Sequence, residues 1–139
     1  IAVGHLIIPV SAVRDEGTSY HYLAPSREVE ANAHAVKTIQ SVLERHGVKY
    51  LTAKTWTTDA IFRETREKVA LRKSEGCVTV EMECSAFFAV SRFREVTFGQ
   101  ILYGGDDVSG IEWDDRRWAD RKNIRESIFN LAVECCLEL

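Results

Sequence analysis

The stretch Cys77-Val78-Thr79-Val80-Glu81-Met82-Glu83-Cys84-Ser85-Ala86-Phe87-Phe88-Ala89-Val90 decides how this chain is read. Its first four residues are β-branched or apolar and predict a buried strand. From Cys84 onward, small and aromatic residues suit a helix packed closely on a sheet. Glu81, Met82 and Glu83 fall where strand gives way to helix. In an open α/β sheet, ligands bind at the carboxyl ends of the strands. The dipole at a helix N-terminus favours the ionised carboxylate. That form only accepts hydrogen bonds, so it can receive two from a vicinal diol. The structural alternative is that both glutamates merely cap the helix, since acids are preferred there in any case.

Working outward, residues 5–13 predict a strand, with Pro9 marking a bulge or an edge position. Residues 14–26 form a polar loop carrying Gly17 and Pro25. Ser26 is the expected cap of a helix running to about residue 46, with Val29, Val36, Ile39 and Leu43 on one face and Gly47 ending it. Residues 48–56 read as a second strand and residues 61–74 as a helix with Asp59 near its start. Gly76 is the terminator of that helix. Residues 98–103 read as a strand ending in Gly104-Gly105-Asp106-Asp107-Val108-Ser109-Gly110. A last helix is expected from residue 116 or 117, burying Ile124, Ile128, Leu131, Cys135 and Leu139. Strand alternating with helix predicts the α/β class, one domain over residues 1–139, with a largely parallel central sheet flanked by helices.

The 139 residues are 45% hydrophobic, enough for a buried core. A net charge of −3, without a basic run, gives no electrostatic case for nucleic acid or a membrane surface. No apolar stretch approaches the ~18 residues of a bilayer span. The cysteines at 77, 84, 135 and 136 lack C-x-x-C spacing. Neither a zinc site nor a disulfide framework is indicated, and free thiols in a reducing cytoplasm are expected. The four histidines lack ligand spacing, so no metal is expected. Nothing matches the G-x-S-x-G turn of a serine hydrolase.

Val80-Glu81-Met82-Glu83, followed by small residues, resembles the ribose-binding signature of the nucleoside phosphorylase family, meaning uridine and purine phosphorylases and their nucleosidase relatives. Three further segments match in the expected order: residues 11–22 (Ser-Ala-Val-Arg-Asp-Glu-Gly-Thr-Ser-Tyr-His-Tyr), Thr57-Thr58-Asp59-Ala60 and Gly104-Gly105-Asp106-Asp107. The resemblance implies a three-layer α/β fold with a mixed, largely parallel sheet. It also implies that the part of that fold supplying the Gly- and Arg-containing phosphate site precedes Ile1, so the chain resembles the C-terminal part of a longer enzyme. An apolar Leu6-Ile7-Ile8 edge would then be left open, with poor solubility or pairing to another chain as the consequence.

The implied activity is phosphorolysis of a nucleoside to free base and ribose 1-phosphate by a cytoplasmic homo-oligomer, with inorganic phosphate as co-substrate and no cofactor. Glu83 matches the carboxylate that grips the 2′- and 3′-hydroxyls. Met82 matches the residue packed on the sugar, and Glu81 is a weaker 2′-hydroxyl contact. Asp106 matches the aspartate that serves N7 of a purine, although Gly105 stands where the family usually has Ser. Two glycines before Asp106 would let the backbone pass close to a ligand. Ile61, Phe62, Glu64 and Arg66 would form the base pocket. Here Glu64-Thr65-Arg66 takes the place of the Gln-x-Arg that reads uracil, and Glu64 cannot donate as Gln does unless protonated. A solvated helix face explains Glu64 and Arg66 equally well. The loop from Arg14 to His21 and Arg66 favour a uridine-like substrate, whereas Asp106 favours a purine. A hydrolytic nucleosidase and a non-catalytic binding module are the alternatives.

Overall fold

The computed structural model describes every residue except Trp118, Ala119 and Arg121. Its centre is β1 (Leu6–Asp15), which runs parallel to β3 (Tyr50–Thr58) along its whole length. On the other side of β1 lie two short antiparallel strands. β2 (Glu28–Glu30) pairs with Ser11, Ala12 and Val13, and β5 (Leu102–Tyr103) pairs with Leu6 and Ile7. β4 (Cys77–Glu81) adds to β3 in parallel, so the sheet is mixed and mostly parallel. Proline brings no N–H to the ladder, and the β1–β3 register slips between Pro9 and Ser11, which is the bulge Pro9 announced.

Helices flank this sheet. α1 (Ala33–Arg45) and α4 (Lys122–Leu137) share a core cluster with Leu6 and Ile8, built from Ile39, Val42, Leu43 and Cys135. α3 (Cys84–Phe93) buries Cys84 and Phe88 against Ala12 and Val29. α2 (Arg66–Ser74) sets Val69 beside Val13, Trp56 and Cys77. Three of the four cysteines are buried and all four are free. Burial pushes the Cys77 thiol up to about 11, so it packs as a small apolar group. Among the described residues, no helix is long and apolar enough to cross a membrane.

Several sequence expectations are corrected. The helix expected from Ser26 begins at Ala33. Asn32 caps it, accepting the Ala35 N–H at 3.0 Å, while Ser26 is engaged by Arg14 and by the Glu28 carbonyl. Val29 sits between two outward glutamates, the period of a strand, and is buried in β2 rather than on the helix. The helix expected over 61–74 is split: Ile61–Arg63 forms a 3-10 turn, and Thr65 caps α2. Asp59 instead accepts the Gly17 N–H. Only Leu102–Tyr103 of the expected 98–103 strand pairs. Gly99 lies pressed on α1, where a Cβ would come within 2.7 Å of Ile39. Arg116 and Arg117 have φ of 48° and 52°, which a right-handed helix excludes, and Leu139 lies beyond α4. Finally, Leu6, Ile7 and Ile8 are not an open edge. With β3 on one side and β5 on the other, all three are at most 4% exposed.

Ile8 lies at the middle of this arrangement and is fully buried. Ile8→Ala is expected to lower stability by about 2–5 kcal/mol, the usual cost of such a cavity. The check is the urea midpoint, which should fall at unchanged m-value.

Candidate active site

The turn from β4 into α3 is built around one carboxylate. Glu81 Oε2 accepts the backbone N–H of Glu83 at 2.8 Å and of Cys84 at 2.5 Å. Its Oε1 accepts the Thr57 hydroxyl at 2.6 Å. Thr57 Oγ1 in turn accepts the Ser85 N–H at 2.9 Å. The donors at the head of α3 are therefore satisfied from the sheet side. Burial pushes the Glu81 carboxyl above its ordinary value despite these bonds, and the nearby charge of Glu83 adds to the shift. Glu81 was expected to touch the 2′-hydroxyl. Most of its acceptor capacity is instead spent on the protein.

Glu83 stands in the opposite situation. It occupies the N-cap position of α3, but its side chain makes no capping bond. It is exposed, and among the described residues no donor engages its carboxylate. Glu83 and Met82, the latter 43% exposed, line a groove of about 920 Å³. Of the two glutamates, Glu81 caps and Glu83 faces outward.

The loop after β5 lines the same groove. Asp106 and Trp113 line it, and the indole N–H of Trp113 donates to Asp106 Oδ2 at 2.6 Å. Asp107 lines the groove as well, paired with Arg116. A hydrogen bond from Ser109 and the Arg116 charge hold its carboxyl below the ordinary value. Gly104 lines the groove and also has a packing reason to lack a side chain. A Cβ there would come 2.4 Å from the Ala2 carbonyl oxygen, and the Gly104 backbone bonds Gly4 and His5.

The expected base-pocket residues divide. Ile61, 54% exposed, lines the groove beside Trp56. Glu64 lies near Asp106. Burial and then the Asp106 charge raise its carboxyl above the ordinary value. Phe62 is 98% exposed and does not line the groove. Arg66 donates to the Ile111 carbonyl at 2.6 Å, outside the groove. The structure thus brings Ile61 and Glu64 to Asp106 and leaves Phe62 and Arg66 apart.

Sequence reasoning missed the support beneath the site. Arg14 is buried under the loop that follows β1 and donates to Ser19, Ser26 and the carbonyls of Leu23 and Ala24, while stacking on Tyr20. Glu16 joins that loop to α3 by accepting the Ser19 N–H and the Ser85 hydroxyl. Burial works against its ionisation, but the bonds from Ser19 and Ser85 prevail and hold it below the ordinary value. Arg14 lies within one of the matching segments, yet nothing local in the sequence marks it as buried. Trp113 was missed too, and an aromatic in a loop of Asp, Gly and Ser was the available signal.

The family model described as the phosphorylase superfamily matches residues 1–132. Uridine phosphorylase from Vibrio fischeri is 27% identical with a TM-score of 0.72, over 97% of this chain and 55% of that one. AMP nucleosidase from Bacteroides thetaiotaomicron is 22% identical at 0.71, over 97% and 52%. A P knowlesi homologue of P falciparum PNP is 18% identical at 0.75, over 98% and 54%. The chain spans about half the length of these solved structures.

The raised Glu81 carboxyl has a pH signature. Between its ordinary and raised values the folded state binds more protons than the unfolded state, so stability falls as pH rises through that window. Glu81→Gln is expected to remove this slope. Above the ordinary glutamate range, urea midpoints should fall with rising pH more steeply in the wild type than in the variant, since Asp15, Glu16 and Asp107, held below their ordinary values, change stability only at lower pH.

Proposed function

Since the chain belongs to the phosphorylase superfamily, we propose that it carries the ribose- and base-binding half of a site for phosphorolysis of a nucleoside, giving free base and ribose 1-phosphate. The observation that carries this reading is the Glu83 carboxylate, unengaged among the described residues, set beside Met82 at the carboxyl end of β4 and lining one groove with Asp106. Glu83 receives the two ribose hydroxyls, and Met82 covers the sugar. The Glu81 clamp holds the backbone from which both side chains project. As the glycosidic bond breaks, positive charge grows on the ribose ring and negative charge on the departing base. Preorganised groups aimed at those charges supply much of such an acceleration. Asp106 meets the base, with Glu64 and Ile61 beside it.

Two arginines line the groove, Arg72 and Arg116, and both are ion-paired, to Asp15 and Asp107. We assign no phosphate ligand within the chain. Four unpaired cysteines favour a cytoplasmic setting, and a homo-oligomer is part of the same proposal.

Asp106 at the base end favours a base that takes up a proton at a ring nitrogen, such as a purine, while Glu64 suits a ring N–H that either base class offers. A uridine-like substrate is the second reading. It is favoured by the Arg14–His21 loop and the 27% identity to uridine phosphorylase, although Arg66 is committed to Ile111.

Glu83→Ala in the intact protein is expected to lower kcat/KM roughly 10- to 150-fold, the equivalent of a hydrogen bond to a charged group. Base release should require phosphate. Full release in water alone would make the protein a hydrolytic nucleosidase, and no release would leave a binding module.

Asp106→Asn should separate the two base classes. On a purine nucleoside the loss should be ~10²–10⁴-fold, as for a general acid. On uridine, which offers no N7, it should be mild.

A further inference from the structure

We propose that Trp113 is a positioning residue of this site, fixing the transferable proton of Asp106 on Oδ1 and so directing it at a ring nitrogen of the bound base. This rests on the reading that Asp106 meets the base. An indole N–H can only donate. The oxygen it faces at 2.6 Å, Oδ2, therefore acts as an acceptor. Any proton the carboxyl group carries then belongs on Oδ1. The carboxyl is also held against rotation, so one defined oxygen serves the base.

The contact is not needed to hold the loop. Asp107 and Asp114 already pair as an antiparallel bridge, with N–H to carbonyl bonds of 2.8 and 3.1 Å. Arg116 ties the loop to Asp107 and to the Ile1 carbonyl, and Arg66 ties it to the Ile111 carbonyl. Nor does Trp113 serve the core. It is 65% exposed and lines the groove with Met82 and Ile61. A large apolar ring left open to water beside a candidate proton donor fits an aromatic ligand, which can stack on it. In the reaction, the C1′–N bond breaks and its electron pair stays with the base. Oδ1 delivers its proton to the base's ring nitrogen, and a phosphate oxygen bonds to C1′.

Trp113→Phe keeps a ring and deletes the N–H. In the intact protein, with a purine nucleoside and phosphate, it should lower kcat about tenfold while KM moves less than about threefold. In an Asp106→Asn background the same change should cost nothing further, because there is no proton to place. An equal cost in both backgrounds, or none in the wild type, would overturn the proposal. Should the intact protein release no base, the function proposed above fails and a second readout decides this inference. The indole N–H resonance of Trp113, assigned by its loss in Trp113→Phe, should exchange slowly with solvent, speed up in Asp106→Ala and shift when adenine saturates the protein. Indifference to either change would overturn it.

Discussion

A β-strand that turns directly into a helix leaves backbone N–H groups pointing at the strand's end, and here one half-buried carboxylate answers them. Glu81 brackets the donors of Glu83 and Cys84 and reaches back to Thr57 on the neighbouring strand. The bond from Ser85 to Thr57 and the bond from Ser85 to Glu16 extend the bracket to the loop after β1. Without it, the head of α3 would need water or ligand to satisfy it. With it, Glu83 is relieved of capping and its carboxylate is left to the groove. Two acids separated by one residue thus have different work, set apart by burial and by the donors that each one meets.

What could be read in advance follows the same division. β1, β3 and β4 were legible because apolar, β-branched runs mark buried parallel strands. α3 was legible because small and aromatic residues crowd its face. β2 was not, because three residues beginning with a glutamate look like a helix start until Val29 is seen pinned against Ala12. The start of α4 was hidden by two arginines that favour helices in general and here adopt left-handed backbone. At the site, Glu83, Met82 and Asp106 could be named from their motifs. The direction of Arg66 could not, since its partner is a carbonyl forty-five positions away.

Buried charge is concentrated around β1, each group with its own answer. Arg14 spends its donors on one loop. Asp15 gathers Arg72, Lys68 and Arg27. Burial opposes its ionisation, but the Arg72 hydrogen bond and the three cations prevail and hold its carboxyl below the ordinary range. Arg72 and Lys68 also lie over the Trp56 ring, so α2 is fastened to the sheet by charge as well as by Val69. Such pairs specify one register of helix on sheet more than they add stability.

The way β1 is flanked has a consequence for the order of assembly. Its first pairing partner is β2, a short hairpin-like return close in sequence. β3 joins at Tyr50 and β5 only at Tyr103. Each later pairing closes a longer loop and carries a larger entropic barrier before any contact repays it. The groove has one wall from β4 and one from the loop beyond β5, so it exists only after the most distant closure. A nascent chain released before residue 103 has emerged would hold the β4 side of its cleft and lack the loop that completes it.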